Sequence, residues 1–292
     1  MDESIKQKVR EANIKAYSSD NVDEFEEFQN SAVYYKNSVL SKNVQNILKS
    51  VDSKNPRILE IGCGTGLMTE FFFKFSKGHV YCLDLAQKPL DILKSKLSKD
   101  DLRRASFICA DAHEYLVKTK EKFDIIAVHG ALHHMVDYMD LCKEATKHLN
   151  KGGIFYITNE PTPPKYYNHY WTHFFTNLDI AYSKHLGKDS FKFIAYVLFA
   201  PLNFLKPMIN NTPLKKIKDM YFHKQSYDET ALSEYWEEAG LDIKGLVREF
   251  RKDKMDILHL GFFTIHRTPF IIKWSKNFRV NRFFTLIGKK IN

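Results

Sequence analysis

The sequence predicts an α/β fold, a doubly wound and mostly parallel sheet with a large helical insertion after its fifth strand. Three observations lead there. Short apolar runs alternate with helical stretches from residue 57 onward. A Gly-x-Gly-x-Gly loop falls at the first strand–helix junction, in Glu60-Ile61-Gly62-Cys63-Gly64-Thr65-Gly66. Acidic residues, Asp84 and Asp111, close the next two apolar runs. Strands buried on both faces read as unbroken apolar runs, and helices between them cover the faces of a parallel sheet.

Residues 1–50 read as helical and mixed in charge, with Phe25, Phe28, Tyr34 and Tyr35 as aromatic anchors. Pro56 ends that pattern, and 57–61 begins a buried strand. A second strand is expected at 80–85, and a helix at 89–97 with Leu90, Leu93 and Leu97 on one face. Strands follow at 105–110 and 123–129. A helix over 138–149 is stopped by Lys151-Gly152-Gly153 ahead of a fifth strand at 154–158. Pro161-Thr162-Pro163-Pro164 then breaks the rhythm, and an aromatic-rich stretch runs to about Gln225. Regular order is expected to resume with a helix at 228–239, a strand at 242–250 and a last strand at 282–287. The reading is an N-terminal helical lid (1–50), a core (51–160 and 226–292) and an inserted substrate-recognition cap (161–225).

Composition narrows the class. With 44% hydrophobic and 27% charged residues the chain reads as globular. Its most apolar run, 191–209, is interrupted by Lys192, Pro201, Lys206 and Pro207, too often to cross a bilayer. The start, Met1-Asp2-Glu3-Ser4, resembles no leader peptide, so a cytoplasmic location is expected. Cys63, Cys82, Cys109 and Cys142 form no C-x-x-C pair or zinc spacing, and read as reduced thiols. The net charge is +9, and the segment from Lys244 onward, with 12 Lys+Arg against 3 Asp+Glu, accounts for all of it. Such a segment suits nucleic acid, anionic lipid or an acidic substrate, or is a solvated face.

The chemistry sits in the glycine loop. Glycine permits positive φ and lets a ligand lie against bare backbone, and the following helix offers free N–H groups to a carboxylate. Asp84, at the end of the second strand, can take both hydroxyls of a ribose, and Asp111 can accept from an adenine amino group. All lie at the C-terminal edge of the sheet, where open α/β folds bind ligands. A dinucleotide fingerprint, G-x-G-x-x-G, would want glycine where Leu67 stands.

Together these residues resemble the class I S-adenosylmethionine-dependent methyltransferases. The resemblance covers roughly 57–160, with the last two strands returning later. Glu60-Ile61-Gly62-Cys63-Gly64-Thr65-Gly66 matches that family's first motif, Asp84 its second-strand acid and Asp111-Ala112 its adenine motif. His129-Gly130-Ala131-Leu132-His133-His134 matches its fourth-strand motif. The resemblance implies a seven-stranded Rossmann-like methyltransferase fold. It also implies S-adenosylmethionine as cofactor, with S-adenosylhomocysteine as product. The cofactor would touch Glu60, Gly62, Cys63, Gly64, Gly66, Asp84, Leu85, Asp111, Ala112, the backbone near His129, and Tyr34 from the lid, where Tyr17, Phe28 and Tyr35 are further candidates.

Methyl transfer is an in-line displacement, so the protein mainly aligns nucleophile, methyl and sulfur, and an oxygen nucleophile also needs its proton removed. His133 and His134 are the candidate bases; packing at the start of the next helix is the alternative. Glu160, closing strand five, is read equally as base, substrate anchor or strand-end cap. His129, His133 and His134 lack the glutamate of a metalloprotease motif, and no metal is expected. The acceptor is expected to be a small molecule, a hydroxyl of a sugar or secondary metabolite, met by the aromatics of 165–225. The alternative is a nucleic-acid, protein or lipid-linked acceptor. The nucleic-acid case is weakened by the lack of Asn/Asp-Pro-Pro-aromatic after strand four. Peripheral membrane contact through 191–209 and the basic segment is a further reading. A non-catalytic cofactor-binding subunit is the third class.

Overall fold

The structure, a computed structural model, describes residues 3–18, 35–166, 171–172, 175, 179, 236, 239–263, 280 and 282–291. Helix α1 spans Glu3–Ser18, a π-helical turn Tyr35–Leu40, and α2 Ser41–Lys49. The alternating part follows as β1 Arg57–Ile61, α3 Thr69–Phe75, β2 His79–Asp84, α4 Gln87–Lys96, α5 Lys99–Leu102 and β3 Ala105–Cys109. It continues as α6 Ala112–Lys118, β4 Phe123–His129, α7 Tyr138–Lys147 and β5 Leu149–Pro161. Helix α8 Ile243–Lys252, β6 Met255–Phe263 and β7 Phe283–Lys290 complete the described elements.

The seven strands form one sheet in the order β3-β2-β1-β4-β5-β7-β6. Neighbours from β3 to β5 pair in parallel, and β7 is antiparallel to both β5 and β6. Side-chain alternation builds a core on each face. Leu59 and Ile61 of β1, Ile126 and Val128 of β4, and Phe155 and Ile157 of β5 pack on one side with α7 and α8. Ile58, Ile125, Ala127, Ile154 and Tyr156 pack on the other with α2, α3 and α4. Central strands buried on both faces are the reason these segments read as continuous apolar runs.

The C-terminal part corrects the sequence reading. The expected strand at 242–250 is helix α8: its buried residues Ile243, Leu246 and Phe250 recur at helical spacing, and Phe250 stacks on Phe155 at 5.2 Å. Strand β6, which follows, was not foreseen. It is one of the two edge strands, and its exposed Leu258, Leu260 and Phe262 put apolar residues on its open face as well, which blurs the alternation that marks a strand. Strand β5 begins five residues earlier than expected, at Leu149. The expected helix at 228–239 and most of the insertion lie outside the described residues, apart from 161–166, 171–172, 175, 179, Trp236 and Ala239. Among the described residues no helix is long and apolar enough to cross a membrane; the 191–209 run lies outside them.

Candidate active site

A cavity of about 250 Å³ opens at the C-terminal edge of β1, β2 and β4. Its floor is the glycine loop. The N–H groups of Gly62 and Cys63 both donate to the Leu83 carbonyl, at 2.8 and 3.1 Å, which turns the chain sharply out of β1. Gly62 and Gly64 have φ of 67° and 53°. A Cβ on Gly62 would collide with Ala131, whereas one on Gly64 would meet nothing within 4 Å and point into open space. The first glycine therefore serves close packing, and the second leaves backbone bare for a ligand. Gly66 does not line the cavity; its missing Cβ makes room for Leu93 of α4.

Three carboxylates surround the loop. Glu60 is buried, takes a 2.6 Å hydrogen bond from the Thr69 hydroxyl, and is pushed by burial up to about 8. Asp84 accepts from Gly64 N–H at 2.8 Å and from Ala86 N–H at 3.0 Å; burial raises its pKa and the backbone donors hold it back. It thereby ties the glycine loop to the end of β2. Asp111 caps α6, accepting from His113 and Glu114 N–H on Oδ1, so Oδ2 is the oxygen left for a ligand donor. Cys63, Leu85, Ala112, His129 and His134 line the same cavity.

The end of β4 is held from behind. Glu160 is fully buried, and its Oε1 accepts from Ala131 and Leu132 N–H at 2.8 and 2.9 Å. Its Oε2 accepts from His133 N–H at 3.1 Å and stands 2.9 Å from His133 Nδ1. One carboxylate thus gathers four donors and fixes the turn Leu132–His134. Neither His133 nor Glu160 lines the cavity. Asn159, at φ 60° in an irregularity of β5, turns the chain so that Glu160 can reach under this turn. Trp236 crosses it from above, donating its N–H to the His133 carbonyl and its indole N–H to the Met135 carbonyl.

The three histidines have different partners. His129 Nε2 lies 3.1 Å from the Tyr35 hydroxyl, and burial lowers its pKa to about 4, so the ring is neutral at pH 7. Among the described residues no three His, Cys, Asp or Glu side chains converge as metal ligands. Tyr34 and Phe28 lie outside the described residues.

Helix α1 forms the roof. Glu3, Lys6, Gln7, Val9, Arg10, Asn13 and Tyr17 all line the cavity, a single face at helical spacing. Lys6 pairs with Asp137 at 3.3 Å on one rim and Arg10 with Glu114 at 2.7 Å on the other. Of these residues only Tyr17 was anticipated. Lys6, Arg10 and Asn13 look like ordinary surface positions of a polar helix, and their spacing alone names no partner.

Residues 59–157 match the model of the methyltransferase domain family. They form a class I S-adenosylmethionine-dependent methyltransferase domain. The match runs from β1 to β5 and so contains both the glycine loop and the β4 turn of this methyltransferase domain. The ubiquinone biosynthesis O-methyltransferase of Pelagibacter ubique (strain HTCC1062) is 32% identical over 104 residues, 36% of this chain and 42% of that protein. The ribosomal RNA small subunit methyltransferase A of Mesomycoplasma hyopneumoniae (strain 232) is 35% identical over 88 residues, 30% of this chain and 32% of that protein. The chain therefore spans less than half the length of these curated relatives. The plantazolicin methyltransferase solved with SAH superposes with a TM-score of 0.54 over 99% of this chain and 98% of its own, at 14% identity, a likeness of fold.

Proposed function

We propose that the protein transfers the methyl group of S-adenosylmethionine to a hydroxyl of a small-molecule acceptor, a sugar or secondary metabolite. The observation that supports this most is the single cavity that collects the bare Gly64 backbone, Glu60, Asp84, Asp111 and His134. These residues fit the cofactor. The glycine loop and Glu60 would hold its amino-acid end, Asp84 the ribose hydroxyls, and Asp111 with Ala112 the adenine. When bound, it supplies a methyl group activated on a sulfonium. The chain's own task is alignment and removal of one proton: His134 takes the proton from the acceptor hydroxyl. His133 and Glu160 hold the β4 turn in place beneath His134. Substrate classes differ between the two curated relatives, so the acceptor rests on the hydroxyl-directed reading of this site and the aromatic insertion. The four free cysteines suit the reducing cytoplasm.

Titration calorimetry with S-adenosylmethionine, S-adenosylhomocysteine and NADH tests the reading. Micromolar binding of the first two and none of NADH is expected. Asp84→Ala should weaken S-adenosylhomocysteine by more than about tenfold, since it removes a charged acceptor and unties the glycine loop. Unchanged affinity in that variant would overturn the ribose assignment. Absence of binding by the wild type would overturn the function itself.

A further inference from the structure

One residue of the roof carries a buried acceptor that no group of the protein serves. Among the described residues four buried side-chain oxygens have no hydrogen-bond partner: Asn13 Oδ1, the Tyr156 hydroxyl, Asn159 Oδ1 and the Thr162 hydroxyl. Of these residues only Asn13 lines the cavity. Its Nδ2 donates to the Val9 carbonyl of its own helix at 2.9 Å and to the His134 carbonyl beneath it at 3.2 Å. A side-chain amide has two N–H bonds and one acceptor oxygen, and here both N–H bonds meet carbonyls. Turning the amide over would set its oxygen against two carbonyl oxygens, so its orientation is fixed. Buried polar atoms are rarely left unpaired, and one in the wall of a ligand cavity calls for a donor on the ligand.

We infer that Asn13 is a cofactor-binding residue, whose Oδ1 accepts an N–H from the ammonium at the amino-acid end of S-adenosylmethionine. This rests on the cofactor reading given above. Counting donors selects the ammonium. The cofactor's other donors are its ribose hydroxyls and adenine amino group, which that reading gives to Asp84 and Asp111, and its carboxylate donates nothing. An ammonium carries three N–H bonds, more than Glu60 alone serves. The cations on the same face of α1, Lys6 and Arg10, are paired with Asp137 and Glu114 at the rims. Asn13 then joins roof, β4 turn and ligand, and the roof closes more firmly on a cofactor that has its amino-acid end than on the nucleoside alone.

The test is titration calorimetry of the full chain with three ligands. S-adenosylhomocysteine carries the ammonium and the carboxylate, its decarboxylated analogue keeps only the ammonium, and methylthioadenosine has neither. Two variants are compared with the wild type: Asn13→Leu, of similar size, and Asn13→Ala, which suits a helix better than asparagine. Both should bind the two ammonium-bearing ligands about tenfold or more weakly, the effect of losing a hydrogen bond to a charged group, and methylthioadenosine nearly as the wild type does. Equal weakening for all three ligands means that Asn13 only fastens the roof to the β4 turn. A loss confined to S-adenosylhomocysteine places the effect at the carboxylate. Either result, or unchanged affinity throughout, overturns the inference and leaves the cofactor reading standing. Failure of the wild type to bind S-adenosylhomocysteine removes that reading, and this inference with it.

Discussion

Glu60 is buried beside the glycine loop with one hydroxyl donor, and burial holds its carboxyl up to about 8. A carboxyl held there is mostly protonated at pH 7. A bound cation favours the carboxylate, so binding of S-adenosylmethionine at pH 7 should release up to about one proton. Affinity should therefore rise as pH climbs toward 8 and level off above it. Calorimetric enthalpies in buffers of different ionisation heat count the proton, and Glu60→Gln should abolish the release. The sign for stability is the opposite. The carboxyl's pKa is raised above its unfolded value, so its contribution is full below about 4.5 and declines as pH rises toward 8. His129 acts the other way. Its pKa is depressed to about 4, so its contribution is present above the unfolded value and lost as pH falls through 4.

At the scale of elements, the turn after β4 depends on an acid from β5. Glu160 serves three backbone N–H groups and one imidazole with two oxygens, and it is fully buried. Glu160→Gln replaces one acceptor oxygen with an NH₂ facing donors. It should destabilise the protein by roughly 2–4 kcal/mol, read as a lower urea midpoint with an unchanged slope. A full-stability Glu160→Gln protein would show that the turn is held by packing alone. Strand-end cap was one of three equal readings for this residue. Its neighbours in sequence carry no trace of a partner 27 to 29 residues away, so these contacts are visible only in the folded chain. The misread helix α8 has the same kind of cause: Ile243, Leu246 and Phe250 sit in so short a window that apolar content dominated over period.

Across the whole molecule, the site lies where the sheet is stiffest and the roof weakest. Strands β1, β4 and β5 lie inside the sheet and are buried on both faces. Helix α1 meets the body through partly exposed ion pairs, each worth only about 0.2–1 kcal/mol, through the contacts of Asn13 and Tyr17, and through a small buried apolar face of Val9 and Ala12. Amide hydrogen exchange should be slowest in β1, β4 and β5 and fast in α1, and S-adenosylhomocysteine should slow α1 most. Equal protection of α1 with and without ligand would show that it is no lid.

The parallel core and the glycine-loop side of the cavity were legible in the sequence. Apolar runs, a glycine loop and strand-end acids are local patterns, and backbone geometry places them at one sheet edge whatever follows. Glu60, Asp84, Asp111 and His134 line one cavity for that reason. The antiparallel β7 between β5 and β6, the burial of Glu160 beneath the β4 turn and the closure of α1 over His134 were decided only by the tertiary structure. Each joins segments far apart in the chain, and contacts of that kind leave no periodicity in the sequence at either end.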